Sequence, residues 1–127
     1  MSMLDGFKVF NFNEGVAYVS VTNNGVTFNK AVVMKLNYPK YVIFLIDDNS
    51  RRMALQVCDE KTTNAVAFYK PKKANVVSVR WNGRDLVNTI KNMMQWNLEK
   101  ESYRIEGELI QEENAMIFDL NKATLLN

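Results

Sequence analysis

Basic side chains with aromatic neighbours are the residues of this sequence that most suggest a chemical role. Lysines follow an aromatic pair, Phe68-Tyr69, two arginines flank Trp81, and further cations surround the first predicted helix and turn. Such groups can neutralise phosphates, and each contact adds to a steep salt dependence. The residues predicted to contact DNA are Lys30, Lys35, Arg51, Arg52, Lys72, Lys73, Arg80 and Arg84. The alternative is an ordinary solvated surface, with Trp81 in the core.

Catalytic chemistry finds little support in the residue types. The chain has no histidine, which removes the commonest general base and metal ligand at neutral pH. Cys58 has no basic activator beside it, so it is interpreted as structural. Asp47 and Asp48 are typical of an acidic turn, and the five glycines form no phosphate-binding loop. The sequence therefore predicts a protein that is not an enzyme and has no catalytic, cofactor or metal site.

Composition predicts one ordinary globular domain. The 127 residues are 47% apolar and 24% charged, and the chain is long enough to bury a core. Its longest apolar run, Tyr41–Ile46, is far shorter than the roughly 20 residues of a membrane span. The start of the chain lacks the basic segment of a secretory signal and there is one cysteine, so a cytoplasmic protein is expected.

The net charge of +2 is too small to indicate nucleic-acid binding by itself, but the charges are unevenly distributed. Residues 1–98 carry 13 basic against 7 acidic side chains, a balance of +6, and residues 99–127 carry 3 against 7, a balance of −4. This asymmetry indicates either a basic binding face or two neighbouring solvated surfaces.

The first half of the chain contains the elements that would position these cations. Thr22-Asn23-Asn24-Gly25 predicts a tight hairpin turn, and Asn29 suits a helix N-cap. The helix buries one side and is stopped by Pro39. The predicted strands that follow are Tyr41–Ile46, covered on both faces, the half-buried Arg51–Val57 and the short Val66–Tyr69.

The second half repeats this order after a linker at Lys70–Asn75. Asn82 is predicted to be the N-cap of a longer helix within Gly83–Trp96, whose methionines indicate either burial or a partner-binding surface. The predicted strands of this half are Val76–Trp81, Glu99–Glu108 and Ala115–Leu120, with a tail docked by Leu125 and Leu126, and a short strand that includes Phe7, Val9 and Phe10 is predicted near the start of the chain.

The two halves are similar enough to predict an internal duplication. Both contain Val-x-aromatic-Asn before a helix and an aromatic residue after it. The matched pairs are Val26–Asn29 with Val79–Asn82, Tyr38 with Trp96, Tyr41–Ile46 with Tyr103–Glu108, and Met53–Val57 with Met116–Leu120. The prediction is an α+β fold, a small barrel-like structure of two β-α-β-β units at about 16–58 and 76–121. Chance similarity of two unrelated segments is the alternative.

The first unit resembles the swapped-hairpin domain of AbrB-type and MazE-type DNA-binding proteins over about a third of the chain, Gly25–Val57. The matching features are Gly25, the strand with Val26 and Phe28, Asn29, Lys30, the helix Ala31–Leu36 with Asn37, the strand Val42–Leu45, the acidic Asp47-Asp48 and the strand Met53–Leu55. Asn29 stands where the family usually has proline, Val32, Val33 and Met34 where it has arginine, and Lys40-Tyr41 where Gly-Asp is typical.

The resemblance implies a cradle-loop barrel. In the family two chains intertwine, and basic residues of exposed loops contact DNA. Here the second unit would take the partner's place. The implied function is DNA binding in transcription regulation, with DNA and further copies of the chain as partners. The alternative is a protein-interaction or assembly module that binds no nucleic acid, through an exposed strand edge or the long helix.

Overall fold

A computed structural model describes residues 3–7, 15–71 and 77–126. These residues form nine strands, two α-helices and two short 3-10 turns at Gln111–Glu113 and Leu120–Lys122. The strands are β1 (Tyr18–Thr22), β2 (Gly25–Phe28), β3 (Tyr41–Asp47), β4 (Arg52–Cys58), β5 (Val66–Ala67), β6 (Val79–Trp81), β7 (Tyr103–Ile110), β8 (Ala115–Asp119) and β9 (Thr124–Leu125). The helices are α1 (Lys30–Lys35) and α2 (Arg84–Met94).

All the strands belong to one antiparallel sheet. Eight of them follow the order β5-β3-β4-β8-β7-β1-β2-β6, and β9 pairs with β7 beside this path. The sheet curls so far that its two end strands approach each other. The approach is seen in the rings of Phe68, next to β5, and Trp81, in β6, which lie 5.8 Å apart. The predicted α+β class with a curled, barrel-like sheet is confirmed at this level.

The concave side of the sheet holds a single apolar core. Strand residues that alternate inward, such as Val19, Leu55 and Phe118, are fully buried, as the two-residue period of a strand requires. Both helices close over this core with their apolar sides, α1 through Val32 and α2 through Ile90. No charged or polar residue of the described ranges is buried within it.

The predicted first hairpin and its helix cap are confirmed. Thr22 pairs with Gly25 across the turn Asn23-Asn24. The Asn29 side-chain oxygen accepts hydrogen bonds from the backbone N–H of Val32 at 3.2 Å and of Tyr18 at 3.1 Å. Asn29 therefore caps α1 and ties it to β1, and its side-chain nitrogen also donates to the Val16 carbonyl at 2.8 Å, a combination that suits an amide.

The predicted cap of the second helix is wrong. Gly83, not Asn82, is the N-cap residue of α2, and no side chain bonds to the first turn. The helix begins one residue later than predicted, so Asn82 is exposed outside it. Asp85 in the first turn supplies the negative charge that favours a helix N-terminus.

Two further local predictions, on strand β3 and on the C-terminal tail, are wrong. Strand β3 is not covered on both faces, because Leu45 and Ile46, which point to opposite faces of the sheet, are 45% and 37% exposed. Leu125 and Leu126 are also exposed. The tail is held instead by backbone pairing of β9 with β7. The predicted strand before Phe10 lies outside the described residues apart from Phe7, which is exposed.

The hairpins β3–β4 and β7–β8 have the same construction. Each closes a four-residue loop, between the pairs Asp47–Arg52 and Ile110–Ala115. The fourth loop residue is left-handed in both, with φ of 56° at Arg51 and 49° at Asn114.

The two hairpins also exchange equivalent backbone hydrogen bonds. The N–H of Val57 donates to the Asn114 carbonyl at 2.8 Å, and the N–H of Leu120 donates to the Arg51 carbonyl at 3.1 Å. Each hairpin therefore holds the loop of the other.

Candidate nucleic-acid interface

A cleft of about 240 Å³ separates the two ends of the sheet. We call it the seam cleft, because it lies where β5 and β6 approach without pairing. It is lined by Ala67, Phe68, Tyr69, Lys70, Ser78, Val79, Arg80 and Trp81.

Strand pairing positions the β6 side of the seam cleft. Thr27 pairs with Arg80, and Phe28 pairs with Val79, so Val79 points inward while Arg80 points outward and is exposed. The Arg80 guanidinium reaches the Asn24 carbonyl oxygen at 3.5 Å, which directs the side chain toward the β1–β2 turn. Arg80 thus lines the cleft, with its guanidinium turned toward the β1–β2 turn.

Aromatic rings form the floor of the seam cleft. Trp81 makes edge contacts with Phe28, Phe44 and Phe68, with centroids 5.1, 5.9 and 5.8 Å apart. These contacts place Trp81 against the core, as the alternative reading of the sequence proposed. Its ring is only partly buried and faces the cleft as an apolar wall.

Three tyrosines lie beside the cleft and are called the tyrosine cluster: Tyr38, Tyr41 and Tyr69. The chain after β5 continues along the start of β3, since the N–H of Tyr69 donates to the Pro39 carbonyl at 3.0 Å. This pairing brings the Tyr38 and Tyr69 rings to 5.3 Å in an edge-on arrangement. A second hollow of about 130 Å³ lies here, lined by Lys40, Tyr41, Ala67, Tyr69, Lys70 and Pro71.

The backbone at Tyr38 has an unusual conformation. Asn37 and Tyr38 have φ of 64° and 52°, in the left-handed region that favours glycine and asparagine. The Tyr38 N–H donates to the Val33 carbonyl at 2.9 Å and closes the end of α1. The helix therefore ends before Pro39, as predicted, by a left-handed turn that leaves the Tyr38 side chain 42% exposed.

The electrostatic character of the two hollows is uniform. Lys40, Lys70 and Arg80 line them, and neither lining contains a carboxylate. Lys70 belongs to both linings and so joins them into one cationic, aromatic surface. Such a surface attracts anions and presents apolar rings to them.

The other predicted site residues are dispersed over the molecule. Arg51 and Arg52 lie at the far end of β3, roughly 20 Å of strand away from the cleft. Lys30 and Lys35 lie at the two ends of α1, and Arg84 lies at the start of α2. Lys72 and Lys73 lie outside the described residues. Of the predicted set, the described structure brings only Arg80 to the cleft.

Arg52 is surrounded by carboxylates. Its guanidinium lies 3.8 Å from Asp47, and it pairs with Asp119 across β4 and β8. A hollow beside it is lined by further acids, Glu106 and Glu108. Hydrogen bonds from Ser50, then Asn49, and the charge of Arg52 lower the pKa of Asp47 below its ordinary value. A phosphate at this end of the sheet would meet strong repulsion.

The residues that the predicted set of contacts omitted are Lys40, Lys70 and the tyrosines. The segment Tyr38-Pro39-Lys40-Tyr41 carries the signal, because it interleaves aromatic and basic residues as the Phe68–Lys73 segment does. Only the β3–β5 pairing shows that the two segments are neighbours.

In the described ranges, no three histidine, cysteine, aspartate or glutamate side chains are grouped so that they could hold a metal ion. None of the helices described is both long and apolar enough to cross a membrane. No protein-family model, curated protein or solved structure matches this chain.

Proposed function

We propose that this protein is a non-catalytic nucleic-acid-binding domain and that the seam cleft with the tyrosine cluster is its binding surface. The observation that carries the proposal is the joined lining of the two hollows, with three cations, several aromatic rings and no carboxylate. A role in transcription regulation, which the AbrB-type resemblance implies, is part of the proposal.

The cation placement sets the expected strength of the salt dependence. If Lys40, Lys70 and Arg80 neutralise three phosphates, raising the salt concentration from 50 to 200 mM should lower the affinity by roughly 20- to 40-fold. This is weaker than the effect expected if all eight predicted cations contacted DNA together. The salt slope therefore distinguishes a compact cleft from a broad basic face.

Fluorescence anisotropy with labelled DNA, single-stranded and duplex, tests the proposal at these two salt concentrations. Lys70→Gln is expected to weaken binding about 3- to 10-fold at the lower salt. Lys122→Gln is the matched control, since Lys122 lines the acidic hollow beside Arg52. Absence of binding to both DNA forms at 50 mM salt would refute the proposal, as would equal losses in the two variants.

We also propose that the chain consists of two related units. The shared construction of the hairpins supports this, because each residue of β3–β4 corresponds to the residue 63 positions later in β7–β8, as Asp47 does to Ile110. This correspondence matches Met53 with Met116, as predicted from sequence, and shifts the Tyr41 match from Tyr103 to Arg104.

The pairing between units follows the same correspondence. Met53 is equivalent to Met116, and Leu55 is equivalent to Phe118. Because Met53 pairs with Phe118 and Leu55 pairs with Met116, exchanging equivalent residues leaves the β4–β8 register unchanged. The register of β2 with β6 has the same symmetry, with the pair Thr27–Arg80 at its centre. An approximate two-fold relation between the units accounts for both registers.

The two-fold relation also shows which strand pairing is missing at the cleft. The pairing of β1 with β7 is equivalent to the pairing of β5 with β3. Val19 pairs with Ile105, and Val66 pairs with Val42, the residue equivalent to Ile105. The counterpart of the β1–β2 pairing would be β5 with β6, the pair that is not formed in the described sheet. Among the described strands, the seam cleft is then the position at which an eight-stranded barrel stays open.

A protein-interaction module is the second candidate, favoured by a different surface. The outer face of β3, β4 and β8 exposes apolar side chains around a hollow of about 140 Å³, including Leu45, Ala54 and Ile117. Among the described residues, β3 beyond Val42 pairs on one side only, so a second copy could add a strand there. Sedimentation equilibrium at 500 mM salt tests this candidate. An oligomer that Leu45→Lys dissociates would support it, and a monomer would oppose it.

A further inference from the structure

We infer that the seam cleft and the tyrosine cluster bind unpaired nucleotides, so that this protein prefers single-stranded nucleic acid to duplex. The inference rests on the proposed function and names its ligand class.

The first reason is that the tyrosine cluster leaves ring surface free at Tyr38. The Tyr38 and Tyr69 rings meet at 66°, so the edge of one ring covers part of a face of the other and the two are not stacked. The pair formed by Trp96 and Tyr103 is the opposite case, since those rings are nearly parallel, with an angle of 11° and centroids 3.9 Å apart. Tyr69 is partly buried against the core, and Tyr38, which is 42% exposed, is available for stacking.

The second reason is how the cations are distributed around the rings. Lys40 and Lys70 line the hollow at Tyr41 and Tyr69, and Lys70 and Arg80 line the seam cleft. A backbone running from one hollow to the other would meet a cation at each end and a shared one in the middle. Phosphate contacts interleaved with stacking surfaces are typical of sites for single strands.

The third reason is that a duplex cannot use the rings. Its bases are already stacked and paired, so aromatic side chains reach their faces only after unstacking, which costs a few kilocalories per mole. A duplex would contact the three cations alone. The single strand therefore gains the stacking contribution that the duplex lacks.

The backbone at Tyr38 agrees with this assignment. A bulky residue with φ of 52° is costly, and glycine or asparagine would fit more easily. The tyrosine stands there with 42% of its surface exposed. Strained backbone conformations cluster at functional positions.

The test compares three fluorescein-labelled probes by anisotropy at 50 mM salt: a 12-nucleotide oligothymidylate, the matching oligouridylate and a mixed-sequence duplex of 12 base pairs. The expected result is at least 10-fold tighter binding of a single strand than of the duplex. The two single strands distinguish DNA from RNA as the source of the unpaired nucleotides, and a preference for either supports the inference.

Variants locate the binding surface. Tyr69→Leu keeps apolar bulk but removes the aromatic ring, and we expect about 10-fold weaker single-strand binding. Tyr69→Phe should bind nearly as the native chain does. Tyr18→Leu removes a ring packed under Arg104, away from the cleft, and should leave the affinity unchanged. Should Tyr69→Leu fail to fold, Tyr38→Asn replaces it, because asparagine suits the left-handed backbone there.

The outcomes separate the inference from the proposal on which it rests. Duplex binding equal to or tighter than single-strand binding would overturn the inference and leave the proposed function standing. Binding of none of the probes would overturn both. Single-strand binding that both Tyr69→Leu and Tyr38→Asn leave unchanged would also overturn the inference, since the rings would then play no part.

Discussion

The ring of Tyr38 contacts the ring of Tyr69 with centroids 5.3 Å apart, although the backbone of Tyr38 has a left-handed φ of 52°. A left-handed conformation costs a residue with a Cβ roughly 1–2 kcal/mol. An edge-on aromatic pair stabilises the folded state by about 0.5–1.5 kcal/mol. The contact and the strain therefore nearly cancel, and Tyr38 adds little to the stability of the fold.

Tyr38→Asn should separate binding from stability. Asparagine tolerates the left-handed backbone, so the free energy of unfolding should change by less than about 1 kcal/mol. The affinity for single-stranded nucleic acid should fall several-fold, because one stacking surface is lost. Urea unfolding and anisotropy on the same preparation measure both quantities. A variant that binds as tightly as the native chain would remove Tyr38 from the binding surface.

Neutralising two cleft lysines should flatten the salt dependence. Lys40→Gln with Lys70→Gln removes two phosphate contacts, so the slope of log affinity against log salt should become shallower by about 2. The matched control is Lys61→Gln with Lys122→Gln, an equal change of net charge outside the two hollows, and its slope should stay unchanged. Similar slopes in both double variants would show that net charge alone, and not the cleft, governs binding.

Gly25→Ala should weaken the joint between β2 and β6. Gly25 has φ of 148°, and a Cβ atom there would lie 2.5 Å from the Trp81 carbonyl oxygen and 2.9 Å from the Asn82 Cα. Both contacts are with backbone, so β6 would have to move. We expect a loss of about 2–4 kcal/mol in the free energy of unfolding, measured by urea denaturation. Gly83→Ala is the matched control, because a Cβ there meets nothing within 4 Å. Equal losses would refute this account of the joint.

Stability at low pH should depend on Asp47. Hydrogen bonds from Ser50 favour its charged form and lower its pKa in the folded state. Its contribution is complete above the unfolded pKa of about 3.9 and is lost as the pH falls through the lower folded value. Asp47→Asn should therefore be less stable than the native chain above about pH 5, and the difference should shrink at lower pH. A difference that is independent of pH would contradict this prediction.

Local chemistry made the hairpin and the first helix predictable. The turn Asn23-Asn24 and the cap Asn29 act on residues close in sequence, so their effects can be read from the chain. The exposure of Leu45 could not be predicted, because it depends on which elements of the fold cover the outer face of β3, β4 and β8. The cap at Asn82 was misplaced by one residue, because Gly83 is the N-cap of a helix that begins without a side-chain cap.

The candidate site was predictable only in part, for the same physical reason. Lys70 and Arg80 stand beside aromatic residues in sequence, and that proximity is typical of residues that contact nucleic acid. Lys40 joins them through backbone hydrogen bonds from Phe68 and Tyr69 to the start of β3, which no sequence spacing reveals. Arg52 looked equivalent in sequence, but strand pairing places it among carboxylates.

Photocrosslinking tests the location of binding most directly. A 12-nucleotide strand carrying 5-iodouracil, irradiated in complex with the protein and analysed by mass spectrometry, reports which aromatic side chains stack on its bases. The account predicts crosslinks at Tyr38, Tyr41, Tyr69 or Trp81, competed away by unlabelled single strand. Crosslinks confined to Tyr18, Trp96 or Tyr103, or none at a concentration that saturates binding, would contradict it.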